Sequence, residues 1–298
     1  MNKLADNKFK LKKITLEDIG ILGNALRDYR GRICDISPGN LVFWRDYYDI
    51  SYSLSDGGLV LCFGDMDGVE SYFCHGGDGL LERLVDECGG SVRLTCVGEE
   101  ELKNLQSRYE CTDVRVSDDW NDYLYLAEDI VTLKGKRFCG QRNHINKFKK
   151  LYPNALFKEI EKEDVEAIKK FCYGYFHVFG NEDAEVASYE EERLYEQLGE
   201  LDRYAQMTGM LTLDGEVLGF SIGEVVGDTL IVHTEKANTA YDGVYPTLVQ
   251  AFATAHTKAG VRFINREEDC GVLGLRRSKL SYHPIELLKK YSVVVSKR

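Results

Sequence analysis

A mixed α/β fold (α+β in its sheet arrangement) built from two copies of one unit is the expectation for this chain, and three observations carry it. The first is a repeated opening. Phe9-Lys10-Leu11-Lys12-Lys13-Ile14-Thr15-Leu16-Glu17-Asp18-Ile19 lines up, with a small gap, with Phe157-Lys158-Glu159-Ile160-Glu161-Lys162-Glu163-Asp164-Val165. The second is a hairpin pattern in each half, and the third is a helix closed by glycine ahead of a further strand in each half. The shared order of strand, helix, antiparallel strands, helix and strand marks an internal duplication, with the halves meeting between residues 115 and 155. The division expected is 1–125 and 126–298.

The elements follow in order. Each opening reads as a short strand feeding a helix. Thr15 with Asp18 has the sense of an acidic capping box, and Ile19, Leu22 and Leu26 form one apolar stripe. Leu59 to Phe63 turns through Asp65 to Gly68 toward Ser71-Tyr72-Phe73. In the second half Met210 to Leu213 turns at Asp214-Gly215 into Val217 to Ile222, the strongest short hairpin signal present. Leu80 to Cys88 reads as a helix stopped by Gly89-Gly90 before the strand Val92 to Thr95. Pro246 to Lys258 reads as its counterpart, stopped by Gly260 before the strand Val261 to Ile264.

Composition sets the outer bounds. At 298 residues and 44% hydrophobic content the chain buries a substantial core, and a net charge of -11 argues against a protein coated for nucleic acid. A local basic face is compatible with that total. Nine cysteines form no C-x-x-C pair and read as reduced thiols of a cytoplasmic protein. No window reaches the roughly 18 to 20 apolar residues of a membrane span, and the first residues lack a signal peptide's apolar segment.

Charge is unevenly distributed. Lys134, Lys136, Arg137, Arg142, Lys147, Lys149 and Lys150 occur with His144 and no acid, and Arg137 to Leu151 reads as a helix closed by Tyr152-Pro153. This basic connecting helix is either an anion dock or a solvated linker. Glu182 to Asp202 is its acidic opposite and reads as a solvated helix and flank.

Chemistry-bearing side chains concentrate after residue 134. Thr229 to Lys236 is a strand that alternates Ile231, His233 and Glu235 on one face, so His233 and Glu235 are the candidate acid/base pair, or else a polar pair meeting a cross-strand partner. The turn from Asn238 through Tyr245 to Pro246 opens a helix whose free amides suit an anion. Beyond the strand ending at Asn265 come Arg266, Glu267, Glu268 and Asp269. Asp269 caps a short helix over Val272 to Lys279 that carries Arg276 and Arg277. Arginines there suit a phosphate or carboxylate, which they grip with paired hydrogen bonds; a self-paired surface turn is the plainer reading. Three adjacent acids cannot all face one ion and no histidine stands at ligand spacing, so no metal is expected. The chain contains no G-x-x-x-x-G-K-[ST] loop, no G-x-G-x-x-G fingerprint, no H-E-x-x-H and no G-x-S-x-G elbow.

The tracts Lys134-Gly135-Lys136-Arg137, Arg142-Asn143-His144-Ile145-Asn146, His233-Thr234-Glu235-Lys236-Ala237, Asn265 to Asp269 and Gly274 to Pro284 together resemble the bacterial family of the phosphatidylglycerol lysyltransferase C-terminal domain. That resemblance implies tandem GNAT-like acyl-CoA N-acyltransferase folds, with the active site in the second. It also implies aminoacyl transfer from aminoacyl-tRNA to an acceptor that the sequence does not identify. Glu235 and His233 would be catalytic. Arg142, Asn143, Asn146, Lys236, Tyr245, Asn265, Arg266, Arg276 and Arg277 would bind the donor's anionic groups, with Glu267, Asp269 and Tyr282 as further polar candidates. A tRNA would meet the basic face. Acyl-CoA is the other donor, in a CoA-dependent N-acetyltransferase, although Thr239 to Tyr245 retains only Gly243 of the usual Gln/Arg-x-x-Gly-x-Gly/Ala loop. A ligand-binding module without catalysis is the third reading.

Overall fold

The computed structural model describes residues 9–55, 57–64, 70–77, 79–179, 184–204, 206–258 and 260–298. The expected turn through Asp65 to Gly68, and Glu182 and Asp183 of the acidic segment, lie outside the described residues.

The chain runs through β1 (Lys12–Lys13), α1 (Ile19–Ala25), α2 (Pro38–Phe43), β2 (Ser51–Ser55), β3 (Gly58–Phe63), β4 (Ser71–Gly76), α3 (Leu80–Glu87), β5 (Ser91–Val97), α4 (Glu99–Arg108) and β6 (Glu110–Arg115). It continues with β7 (Asp122–Leu126), α5 (Ala127–Thr132), α6 (Cys139–Leu151), β8 (Leu156–Lys158), α7 (Val165–Phe179), α8 (Ala184–Gly199), α9 (Leu201–Tyr204), β9 (Met207–Leu213), β10 (Glu216–Val226), β11 (Thr229–Ala237) and α10 (Val244–His256). The last elements are β12 (Phe263–Asn265), α11 (Leu273–Leu280), β13 (Glu286–Leu288) and β14 (Tyr291–Ser296).

Two mixed sheets of seven strands result. One has the order β1-β2-β3-β4-β5-β14-β6, and the other, read from its far edge, β8-β9-β10-β11-β12-β7-β13. The orders match position for position. The parallel pair falls at the same place in both, β4 with β5 and β11 with β12, and the next strand is antiparallel in both, β14 on β5 and β7 on β12. The duplication is therefore real, with one feature that a linear reading misses: the sixth strand of each sheet comes from the other half of the chain. Accordingly the two compact units are Met1–Asp122 with Glu268–Leu273 and Leu287–Arg298, and Tyr123–Glu267 with Gly274–Glu286.

Local chemistry repeats as well. The Asp18 carboxylate accepts from the Thr15 backbone N–H at 2.9 Å and from Lys12 Nζ at 2.8 Å. In the second unit Asp164 accepts from the Glu161 N–H at 3.0 Å and from Lys158 Nζ at 2.8 Å. An acid three residues past the helix start thus closes the first turn of both copies. The Asp214-Gly215 hairpin forms as expected, because both residues take positive φ, 48° and 90°, as a type I′ turn requires.

Each unit has its own core. In the first, Leu80, Leu84 and Val85 of α3 and Leu102 and Leu105 of α4 cover Val92, Leu94, Val293 and Val295. In the second, α10 lays Val249, Phe252 and Ala253 over Leu230 and Val232 of β11, with Ile145 of α6 in the same cluster. The basic helix begins at Cys139, after a 3-10 turn over Lys136–Phe138, and buries Ile145 and Phe148. The acidic segment is more than a solvated helix: Leu194 and Leu198 of α8 are buried, and Glu190 holds Lys236 at 2.8 Å. All nine cysteines are unpaired.

Candidate functional site

The parallel pair β11–β12 sets the site in the second unit. Ile231 stands opposite Asn265, so the residues that follow each strand are brought side by side. Arg266 extends from the end of β12 and its Nη2 donates to Glu235 Oε2 on β11. The guanidinium lies 4.9 Å from the centroid of the Tyr282 ring, and Arg266 is only 7% exposed. Burial, the largest single influence, would lower its pKa; the Glu235 charge and hydrogen bond together with the Tyr125 and Tyr282 hydroxyls outweigh it and raise the pKa. Arg266 Nε and Nη1 are buried with no hydrogen-bond partner among the described residues. Ser221 Oγ, buried and likewise without a partner, belongs to the residue directly opposite Glu235 on β10. Two arginine donors and a serine hydroxyl are therefore buried in this unit without partners among the described residues, an arrangement that costs stability unless something pairs with them.

His233 and Glu235 do not act as one pair. The β10–β11 register shifts between Ile222 and Gly223: Ile222 faces Thr234 and Gly223 faces Val232, which leaves His233 as the extra residue of a bulge. Its ring lies between two acids, Nδ1 at 2.8 Å from Glu267 Oε1 and Nε2 at 2.9 Å from Glu224 Oε1. Burial would push its pKa down, but the hydrogen bonds and charges of Glu224 and Glu267 raise it to about 10. Both ring nitrogens are engaged by carboxylates that favour the protonated ring, so in this arrangement neither is open to a substrate proton, which the acid/base expectation for His233 requires.

The other expected residues scatter. Arg142 donates to the carbonyls of Leu133 and Gly135, capping the end of α5, and does not reach the Glu235 site. Asn143 and Asn146 are exposed on α6. Lys236 is buried against the Tyr175 and Phe176 rings beside Glu190. The Tyr245 hydroxyl lies 3.4 Å from that of Tyr175. Asn265 Oδ1 accepts from the Glu267 N–H at 2.7 Å, shaping the turn that delivers Glu267 to His233. Asp269 accepts from the Gly271 N–H at 2.9 Å ahead of α11, whereas Arg276 and Arg277 stand on α11 itself.

The first unit holds a cluster that no local pattern of residues assembles. Lys290 Nζ sits 2.7 Å from Asp122, 3.0 Å from Glu268 and 3.3 Å from Cys34 Sγ, and also pairs with Asp35. One ligand atom each from Cys34, Asp35, Asp122 and Glu268 lies within 4.8 Å of the others, metal-like spacing whose centre is filled by the ammonium. Burial and the surrounding carboxylates push the Cys34 thiol well up, so it is held as a neutral thiol. A cleft of about 560 Å³, whose walls include Arg93 and Trp120, opens onto Lys290. Signals for its parts existed only as isolated acids and one lysine, 256 residues from the cysteine it touches.

Two units with mixed sheets of matching strand order define the architecture as a duplicated α+β fold. The chain belongs to the family described as phosphatidylglycerol lysyltransferase, C-terminal, which it matches over residues 27–294. A crystal structure of a conserved protein of unknown function from Bacteroides thetaiotaomicron superposes with a TM-score of 0.88 at 29% identity, covering 97% of this chain and 100% of that one. The L-PGS structure from Bacillus licheniformis shares the fold at a TM-score of 0.61 and 14% identity, covering 93% of this chain and 91% of that one. An uncharacterized Mycoplasmoides gallisepticum protein is 27% identical over 199 residues, 65% of this chain; the chain spans 62% of that relative's length. Family and fold together make the chain a relative of acyltransferases.

Proposed function

We propose that this protein transfers an aminoacyl group from aminoacyl-tRNA to an amine or hydroxyl acceptor, and that Glu235 and Arg266 form the centre of the site. The observation that carries the reading is the pair of buried, unsatisfied Arg266 donors beside a carboxylate. In this reading Arg266 hydrogen-bonds the ester oxygen on which negative charge develops. Glu235 accepts the proton of the attacking acceptor as the carbon–nitrogen or carbon–oxygen bond forms. The proton passes to the departing ribose hydroxyl as the ester bond breaks. His233, clamped by Glu224 and Glu267, holds the strand ends in place and takes no proton.

The glycine retained from the CoA loop has another explanation. A Cβ on Gly243 would lie 2.3 Å from the His144 carbonyl oxygen, so the close approach of α6 accounts for it. The test is single-turnover deacylation of a mixed aminoacyl-tRNA pool with hydroxylamine as surrogate acceptor, corrected for the uncatalysed rate. Acceleration that Glu235→Gln reduces by about 100-fold is expected, as for loss of a general base. Consumption of acetyl-CoA in place of aminoacyl-tRNA would overturn the donor, and turnover of neither would favour a binding module.

A further inference from the structure

We infer that the first unit carries a ligand site of its own: the cleft beside Lys290 binds a small zwitterion, a molecule in which a short chain joins an ammonium group to an oxyanion. The cleft, about 560 Å³, has the size of a small-molecule site, and the residues that line it all belong to the first unit. Two of them supply opposite poles. Arg93 donates from Nη2 to Asp113 and from Nη1 to the Ser292 hydroxyl at 3.2 Å, which leaves further guanidinium N–H groups for an incoming oxyanion. Asp35 pairs with Lys290 and lies 3.5 Å from Cys34 Sγ, and both contacts fall on Oδ2. Its side chain is 35% exposed, so Oδ1 remains to accept from an ammonium.

One strand spaces the poles. Arg93 is tied to Ser292 and Asp35 to Lys290, residues two apart where β14 begins, so the poles are anchored roughly 7 Å apart along the backbone. A short zwitterion satisfies both ends, whereas a lone anion would meet the Asp35 carboxylate and a lone cation would meet Arg93. Tyr48 and Trp120 line the same cleft, Trp120 being 48% exposed, and supply aromatic surface for the spacer and the ammonium. The backbone is irregular at the same place. Buried Cys96, on the cleft wall near the end of β5, has a φ of 53°, and the pairing of β14 with β5 shifts register between Tyr291 and Val293. Left-handed non-glycine residues and bulges gather at ligand sites. The inference is independent of Glu235 and Arg266, which belong to the second unit.

Isothermal titration calorimetry of the full chain at low salt tests it. The probes are γ-aminobutyrate and phosphoethanolamine; butylamine, butanoate and inorganic phosphate, the separate halves, are the controls. At least one zwitterion should bind about tenfold or more tightly than either of its halves. Whichever zwitterion binds tighter identifies the oxyanion as carboxylate or phosphate. Asp35→Asn should bring that affinity down to the level of the matching anion alone. Trp120→Ala, at an exposed position, should weaken it by about fivefold. Both variants are checked for an unchanged melting temperature; should Asp35→Asn fail to fold, the comparison with the halves and Trp120→Ala decide. Zwitterions that bind no better than their halves would overturn the inference. So would absence of binding by both, or a folded variant of either kind that binds normally.

Discussion

Arg266 and Glu235 form a buried ion pair between the residue after β12 and the strand β11, with the guanidinium stacked on Tyr282. The sequence marks both residues, but as a donor-binding cation and a separate base. In the structure each is the other's counter-charge, and any chemistry at one acts through both.

Removing one partner leaves the other charged and dry. Arg266→Met should cost about 3–5 kcal/mol in urea unfolding, because Glu235 then lacks its counter-ion. The double variant with Glu235→Gln should cost clearly less than the two single losses added together. Simple additivity would show that the two side chains are not coupled.

His233 should remain protonated well above neutral pH. With a folded pKa of about 10 against the ordinary 6.5, its proton stabilises the fold fully below pH 6.5, and that contribution is lost as pH rises from there to about 10. Imidazole NMR should find one of the six histidines still charged at pH 8, and His233→Gln should flatten the fall in stability between pH 7 and 9. A His233 signal titrating near 6.5 would refute the clamp.

Gly243 has a φ of 85° and leaves no room for a methyl group against α6. Gly243→Ala should destabilise by more than about 1 kcal/mol, since the backbone and the contact both oppose it. Gly274→Ala meets nothing within 4 Å and should be far milder. Equal melting temperatures for the two variants would contradict this.

Ending the chain after Leu288 removes β14, whose Val293 and Val295 are fully buried in the first unit's core. Amide protection in β5 and β6 should collapse in hydrogen exchange, because both strands lose their shared neighbour. Unchanged protection there would mean that β14 is dispensable.

Read alone, the sequence determined what neighbouring residues decide among themselves: the paired helix starts at Thr15 and Glu161, the Asp214-Gly215 hairpin, the basic helix and the duplicated order of strands. These depend on caps, turn conformations and periodicity over a few residues. Only the tertiary structure decided that β7 and β14 trade sheets, since an alternating apolar strand satisfies either sheet and nothing local says which. It also decided the partners of the charged groups. A single register shift opposite Gly223 separates His233 from Glu235, and Lys290 meets Asp35 and Asp122 from segments far apart in the chain. Burial makes those pairings matter, because in a dry interior each charge must find its opposite, and which one it finds depends on where the backbone places it.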